Sequence, residues 1–335
     1  MDPAWALRQI AFQLERAGEP TYRVRAFRRA AAIVDDLPAG DLAKRAERGT
    51  LTELTGIGKA TAGVIMDVLN GREPEYFEKI AEPEPVGGEK LRAALKGDCH
   101  THSDWSDGGS PIREMAEAAR DLGHEWIALT DHSPRLTVAG GLTADRLREQ
   151  LEVVADLNAE LAPFKILTGI EVDILDDGRL DQSEDLLAQL DVVVASVHSK
   201  LRMPMAEMTE RMLTAVENPH VDVLGHCTGR LVRGKGRPES QFDAEAVFDT
   251  CADNYVAVEI NSRPDRLDPP RRLIQLALGA GCAFAIDSDA HAPGQLDWLA
   301  YGCARAEDCG VTVDRVVNTR GANELLSWSR RPHAS

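Results

Sequence analysis

From residue 97 onward the sequence alternates between two hydrophobic periods, and that alternation leaves few folds open. Short runs rich in β-branched residues cover positions 98–102, 126–131, 166–172, 191–198, 221–226, 256–261 and 283–287. Between them, 111–122, 143–161, 205–217, 243–251 and 270–278 place apolar residues at helical spacing. Short apolar runs bounded by turn residues read as strands buried on both faces, and strand–helix alternation demands parallel pairing through helical crossovers. Seven such runs predict a parallel, barrel-like α/β domain.

The polar residues obey a placement rule. Strand one ends in His100-Thr101-His102 and runs on to Asp107; strand two ends in Asp131-His132; strand three ends near Glu171. Strand four ends at His198, strand five at His226, and strand seven leads into Asp287-Ser288-Asp289-Ala290-His291. In a parallel barrel every strand opens its C-terminal end onto one face. Groups almost 200 residues apart therefore converge. His100 and His102 leave an extended segment on the same side, so both can reach one ion. Imidazole with carboxylate suits zinc, manganese or iron without cysteine, and a carboxylate such as Glu171 can bridge two ions. Two such ions can activate a hydroxide and neutralise charge on a phosphoryl group. Six of the nine histidines fit the rule; His124, His220 and His333 read as structural or surface residues. Phosphate also calls for cations near the mouth. Arg230 and Arg263 are the preferred candidates, ahead of Lys200 and Arg266.

Charge argues at first against nucleic acid, because the formal net charge is −17. Its distribution weakens that argument. Residues 1 to 80 balance their charges and the remainder carries the whole excess, part of which bound cations would offset. No apolar run is long enough for a membrane helix, and the N-terminus lacks the pattern of a secretory signal. The six cysteines form no CxxC pair, which suits reduced thiols in a cytoplasmic protein.

A composition break at AEPEPVGGEK divides the chain, predicting a linker over 81–96. Before it, Trp5, Ile10, Phe12, Leu14, Val24, Phe27, Ala31 and Val34 recur at roughly helical spacing, predicting a small all-α module over 1–80. Within it, Gly56-Ile57-Gly58 falls between two helical patterns. Such a turn offers backbone N–H groups to a DNA phosphate without reading sequence. Lys59 follows it, and Arg23, Arg25, Arg28 and Arg29 add a basic cluster.

Taken together, GDCHTHSDWSDG, ALTDHS, GIEVDIL, ASVHSKL, ENPHVDVLGHCTGRL, EINSRPDRLD and DSDAH resemble the PHP (polymerase and histidinol phosphatase) domain. The likeness covers nearly all of 97 to 310, within an expected domain of 97–330. It is to the PHP domain at the C-terminus of bacterial family X DNA polymerases in particular. The resemblance implies a distorted seven-stranded β/α barrel and three divalent ions. One would be held by His100, His102, Glu171 and Asp289; a second by Glu171, His198 and His226; a third by Asp107, His132 and His291. No ligand position is substituted. Cys227 departs from the family, which commonly has proline there, and reads best as a packed, inert thiol.

Residues 1 to 80 resemble the helix-hairpin-helix domain at the N-terminus of DNA polymerase beta and other family X members, through YRVRAFRRAAAIV and ELTGIGKATAGVI. That likeness implies DNA contacts by Gly56, Gly58, Lys59, Arg25 and Arg28. The family's Schiff-base lysine aligns with Val64, and the polymerase palm and fingers are missing. The expected function is a metal-dependent phosphoesterase that processes DNA 3′ ends by metal-activated hydroxide, with Glu171 and Asp289 central. The alternatives are a small-molecule phosphatase of the histidinol-phosphatase type and a non-catalytic DNA-binding accessory protein.

Overall fold

A computed structural model describes residues 1–80 and 85–329; His333 lies outside them. The chain divides into two compact units, Met1–Glu84 and Pro85–Ser335.

The described residues of the first unit form the helices α1 (Pro3–Arg16), α2 (Thr21–Asp36), α3 (Asp41–Arg48) and α4 (Lys59–Leu69). Asp2 starts α1 by accepting a 2.9 Å hydrogen bond from the Trp5 amide, with Pro3 in the first turn. Leu7, Ile10 and Leu14 of α1 pack with Val24 and Phe27 of α2 and with Val64 and Ile65 of α4. Trp5 belongs to the same periodic pattern but is 49% exposed. Between α3 and α4, Leu51 and Ile57 anchor the hairpin turn in this core. Gly56 sits at φ 109°, and a Cβ there would lie 2.6 Å from Ile33 and 2.7 Å from Arg29, so the turn requires glycine.

Part of the expected linker is structured. Glu89–Ala94 forms helix α5, because Leu91 and Leu95 bury against the second unit's core. The expectation of a plain linker to residue 96 is corrected there.

The second unit holds seven parallel strands in sequential order: β1 (Gly97–Thr101), β2 (Trp126–Leu129), β3 (Lys165–Asp173), β4 (Val192–Ser196), β5 (Val223–Leu224), β6 (Ala257–Asn261) and β7 (Phe284–Asp287). The crossovers are α6 (Ile112–Asp121), α7 (Ala144–Leu161), the short α8 (Glu184–Leu187), α9 (Met205–Val216), α10 (Ala244–Asp253) and α11 (Arg271–Ala280). Helices α12 (Leu299–Asp308) and α13 (Ala322–Ser329) follow. Local chemistry sets the helix starts: Thr143 and Asp243 cap α7 and α10, while Pro111 and Pro270 precede α6 and α11. Strand β5 is shorter than expected. Beyond it, the His226 amide donates to the Glu259 side chain, where a backbone carbonyl would continue the ladder.

The seven strands nearly close into a barrel, as the alternation predicts. Side chains close the seam between β1 and β7. The Cys99 amide donates to Asp287 Oδ1 at 2.9 Å and the Ser288 amide to Asp98. Asn318, fully buried, donates to the carbonyls of Gly97 (3.3 Å) and Ile286 (3.1 Å) and accepts from the Ile286 amide at 2.7 Å. Asn318 therefore bonds backbone groups of both edge strands, beside the parallel bridge of Thr101 to Ala290 in which the His102 amide donates to the Ala290 carbonyl at 2.8 Å.

Asn318→Ala strands several buried polar groups and is expected to cost about 3 kcal/mol of stability. Denaturant unfolding of the full chain measures this. A loss below about 1 kcal/mol would mean that the seam is held elsewhere.

Candidate metal centre

The nine expected ligands meet at the C-terminal ends of the strands, around the buried carboxylate of Glu171 on β3. Its Oε2 lies 3.3 Å from His100 Nε2, 3.6 Å from His102 Nε2 and 2.8 Å from His132 Nδ1. Its Oε1 lies 3.2 Å from His198 Nε2 and 2.9 Å from His226 Nε2. Asp289 comes from the turn after β7, at φ 52°, a left-handed conformation that aspartate tolerates. Its Oδ1 stands 3.5 Å from His102 Nε2. Asp107 completes the far side, 3.2 Å from His291 Nε2 and 3.5 Å from His132 Nε2.

Donors that each stand about 2.0–2.2 Å from one ion are separated by roughly 3 Å or a little more, so these spacings suit shared cations. Three overlapping sets have ligand geometry: His102, Asp107, His132 and His291; His100, His102 and Glu171; His132, Glu171 and His198. They differ from the expected grouping in detail. His102 joins the Asp107 set as well, and His132 reaches Glu171. His226 and Asp289 fall outside these sets although both lie against their members.

The test of fit is hydrogen bonding. Among the described residues, buried His100 Nε2, both ring nitrogens of His102 and His226 Nδ1 form no hydrogen bond, and His132 Nδ1 and Glu171 Oε2 approach one another at 2.8 Å without the alignment of one. Unsatisfied atoms packed this densely in a protein interior are costly, and divalent cations among them remove the cost. The residues fit the group.

A second layer orients the first. Glu259 of β6 approaches His100 Nδ1 at 2.6 Å and Asp173 bonds His198 Nδ1, leaving each Nε2 free for an ion. Asn261 donates to Asp289 Oδ2 at 3.1 Å. The strand-end rule missed these residues. Glu259 left one signal, a lone acid between Val258 and Ile260 in an apolar strand. Its Oε2 faces the His226 amide inside the barrel.

Above the cluster lies an open cavity of about 360 Å³, lined by Asp107, His132, His198 and His291 together with Arg263 and Arg266. Arg263 stands 3.6 Å from Asp289 Oδ1, and Arg266 stands 3.3 Å from Asp289 Oδ2. Arg230 does not line this cavity, which corrects the sequence reading. Its guanidinium donates to the carbonyls of Arg266 and Leu267 and pairs with Glu239 at 3.5 Å. Spacing from His226 predicted proximity, whereas the loop turns Arg230 toward backbone acceptors. Lys200 pairs with Asp176 at 2.6 Å. Cys227 is buried in the barrel core, where desolvation holds its thiol pKa well above the ordinary value. His124 is buried, and desolvation lowers its pKa to about 3. His220 lies 3.2 Å from Glu184 at the surface.

In the first unit Arg25 and Lys59 are exposed. Arg28 is not free, because it forms a two-pronged bond to buried Glu15 at 2.8 and 3.0 Å. That ion pair occupies its guanidinium, and its side chain remains 26% exposed. The Gly58 amide donates to Thr61 Oγ1 at 3.0 Å, so it is used in capping α4. Val64 is buried at 2% exposure and brings no amine to the surface.

A barrel whose histidines and carboxylates converge at the C-terminal mouth, with arginines at the rim, defines the class of metal-dependent phosphoester hydrolases. The PHP domain family matches residues 98–263 and a helix-hairpin-helix domain family matches residues 1–73. The chain belongs to the PHP-domain phosphoesterase family. It is 40% identical over 262 residues to the DNA polymerase/3′-5′ exonuclease PolX of Bacillus subtilis, a match spanning 78% of this chain and 45% of that protein. It is 30% identical over 237 residues to a probable phosphatase of Thermoanaerobacter sp., spanning 66% of this chain and 89% of that protein. Among solved structures, it is similar to the histidinol phosphate phosphatase of Lactococcus lactis complexed with zinc, L-histidinol and phosphate. That likeness has a TM-score of 0.49 at 20% identity and covers 65% of this chain and 95% of the other. No helix among the described residues is long and apolar enough to cross a membrane.

The ionisation of the cluster yields a prediction. Burial alone would depress His198, but the carboxylates of Glu171 and Asp173 outweigh it and raise its pKa to about 9 in the metal-free protein. A raised histidine stabilises the metal-free fold fully below its unfolded pKa of about 6.5, and that contribution is lost as pH rises toward 9. Metal binding needs the neutral imidazole, so loading releases protons and tightens with pH across this window. Calorimetric titration of the metal-free protein with Mn²⁺, in two buffers of different ionisation enthalpy, should detect proton release near pH 7.5, roughly the middle of that window. Equal heats in both buffers would contradict the assignment of His198 as a ligand.

Proposed function

We propose that the protein is a phosphoesterase carrying three divalent ions (zinc, manganese or iron) that trims DNA 3′ ends, as a 3′–5′ exonuclease or a 3′-phosphatase. The observation that carries this reading is the cavity, in which two guanidinium groups stand beside the cluster of imidazoles and carboxylates. His100, His102, Glu171 and Asp289 would hold one ion, Glu171, His198 and His226 a second, and Asp107, His132 and His291 the third. When bound, such ions activate water and offset charge on a phosphoryl group.

The chain's own groups do the positioning. Glu171 turns one oxygen toward His100, His102 and His132 and the other toward His198 and His226, so it ties two halves of the cluster together. Asp289 holds Arg263 and Arg266 against the ligands. The arginines thus present N–H donors to an entering phosphate. The first unit would add its own grip on the substrate. There Arg25, Lys59 and the backbone donors at the start of α4 offer weak, sequence-independent contacts to a DNA backbone.

A small phosphate monoester is the second reading. One observation favours it: 66% of this chain matches a probable phosphatase over 89% of that protein's length. A side-by-side assay with Mn²⁺ on 3′-labelled DNA and on small phosphate monoesters separates the two. Release of label from DNA is expected; hydrolysis of the monoesters alone would select the second reading. Glu171→Gln should cut turnover by more than about 100-fold with the circular dichroism spectrum unchanged. A folded variant near the wild-type rate would refute the role of Glu171.

Abasic-site lyase chemistry needs an amine of depressed pKa at the sugar. With Val64 buried in α4, borohydride treatment with abasic DNA should trap no adduct in residues 1–80. A covalent adduct mapped there, at Lys59 for example, would overturn this.

A further inference from the structure

Between Arg230 and Arg237 the sequence RLVRGKGR carries four basic residues and no acidic one, in a chain whose net charge is −17. The segment forms a small hairpin. Leu231 and Arg237 pair as an antiparallel bridge, with N···O distances of 3.0 and 2.9 Å. Gly234 and Gly236, both at φ 67°, let the tip turn tightly without side chains of their own. Val232 to Gly236 are exposed. The side chains of Arg233 and Lys235 have no hydrogen bond or ion pair among the described residues.

The hairpin is fixed against the rim of the metal cavity. The Val232 amide donates to the Asp265 carbonyl at 2.6 Å. Arg230 holds the carbonyls of Arg266 and Leu267, and the Thr228 hydroxyl and the Arg230 amide both bond Asp268. All these contacts fall on the loop after β6, the same loop that supplies Arg263 and Arg266 to the cavity. Arg230 and Arg237 also line a groove with Glu239 and Arg272. Glu239 is already paired with Arg230 and Arg272, so it leaves the charges of Arg233, Lys235 and Arg237 in place.

Basic groups therefore extend from the cavity arginines, over the hairpin base, to an open basic tip, and the acids among them, Asp265 and Glu239, are paired with Arg263 and with Arg230 and Arg272. A single phosphate monoester is satisfied inside the cavity and has no use for the tip. A chain of phosphodiesters has a charge at every nucleotide and needs such a track. We propose that hairpin 231–237 holds the phosphodiester backbone of a single-stranded 3′ end leading into the metal cavity. Resting on the DNA reading above, this assigns polymer recognition to the barrel unit itself, with Arg233 and Lys235 as backbone contacts and Arg230 as the residue that positions the hairpin.

The test uses the full-length, Mn²⁺-loaded protein and 3′-labelled oligothymidylates of increasing length, each assayed across a salt series. In Arg233→Ala/Lys235→Ala, kcat/KM on a long oligonucleotide should fall roughly tenfold at low salt, and the salt slope should shrink by about 1.4, for two lost contacts to a single strand. The loss should grow with oligonucleotide length and be smallest on the dinucleotide. The charge-preserving Arg233→Lys/Lys235→Arg variant should restore most of the long-substrate rate, which a merely structural role for these side chains would not produce. If the wild-type protein degrades DNA but the alanine variant keeps the same rate, length dependence and salt slope, the hairpin proposal is wrong and the DNA reading stands. If the wild-type protein hydrolyses monoesters and no oligonucleotide, the DNA reading falls and the hairpin proposal with it.

Discussion

The structure is organised around the cost of burying one carboxylate. Glu171 is 1% exposed, and five imidazoles crowd its two oxygens. A lone ionised acid at such depth would be expensive, and unpaired imidazole nitrogens beside it add to the expense. Around the metal-free carboxylate, desolvation favours the neutral acid but the charges of His198, His100 and His132 prevail, holding its pKa well below the ordinary value. Both sides of this balance point to cations at the same place. Parallel strands that all end on one face bring these donors together, so the barrel and the site answer the same requirement.

The acidity of the chain takes on a different meaning once burial is known. Many of its acids are inside the barrel: Asp98, Asp131, Asp173, Asp222, Glu259, Asp268 and Asp287 are all buried. Some are not fully ionised at neutral pH. Desolvation raises Asp222 to about 8, against the one amide of Val193 that supports its charge, and raises Asp98 to about 6. Others are held by donors, as Asp131 is by Ser103, Ser106 and Gln150. The formal −17 therefore overstates the repulsion met by an approaching polyanion. What such a ligand meets at the mouth is Arg263, Arg266 and the basic hairpin beyond them.

The elements most legible in the sequence were those whose patterns are local. The run from 165 reads as a strand because Ile166, Leu167, Ile170 and Val172 face packed layers on both sides, and the strand extends one residue past the expected end to Asp173. Thr143 marks the start of α7 by capping it. The His100-x-His102 pair follows from extended geometry alone. Arg230 was misjudged because distance along the chain from His226 says nothing about which way a loop turns. The ion pair of Arg28 was not legible because its partner Glu15 lies on another helix. The linker expectation failed at α5 for a similar reason: the glycines and prolines before it mark a break, but Leu91 and Leu95 find their burial only on the barrel.

By itself the sequence determined the parallel strand–helix alternation, the divisions between helices and strands, and the ring of histidines and acids at the strand ends. Those depend on periodicity and on residue type, which each segment carries with it. Tertiary structure alone decided which second-layer acids aim the imidazoles, how Asn318 seals the seam, and which arginines reach the cavity. Each of these turns on contacts between residues far apart in sequence, such as the 159 positions separating His100 from Glu259. No local pattern encodes a contact of that kind, because it exists only after the barrel has closed.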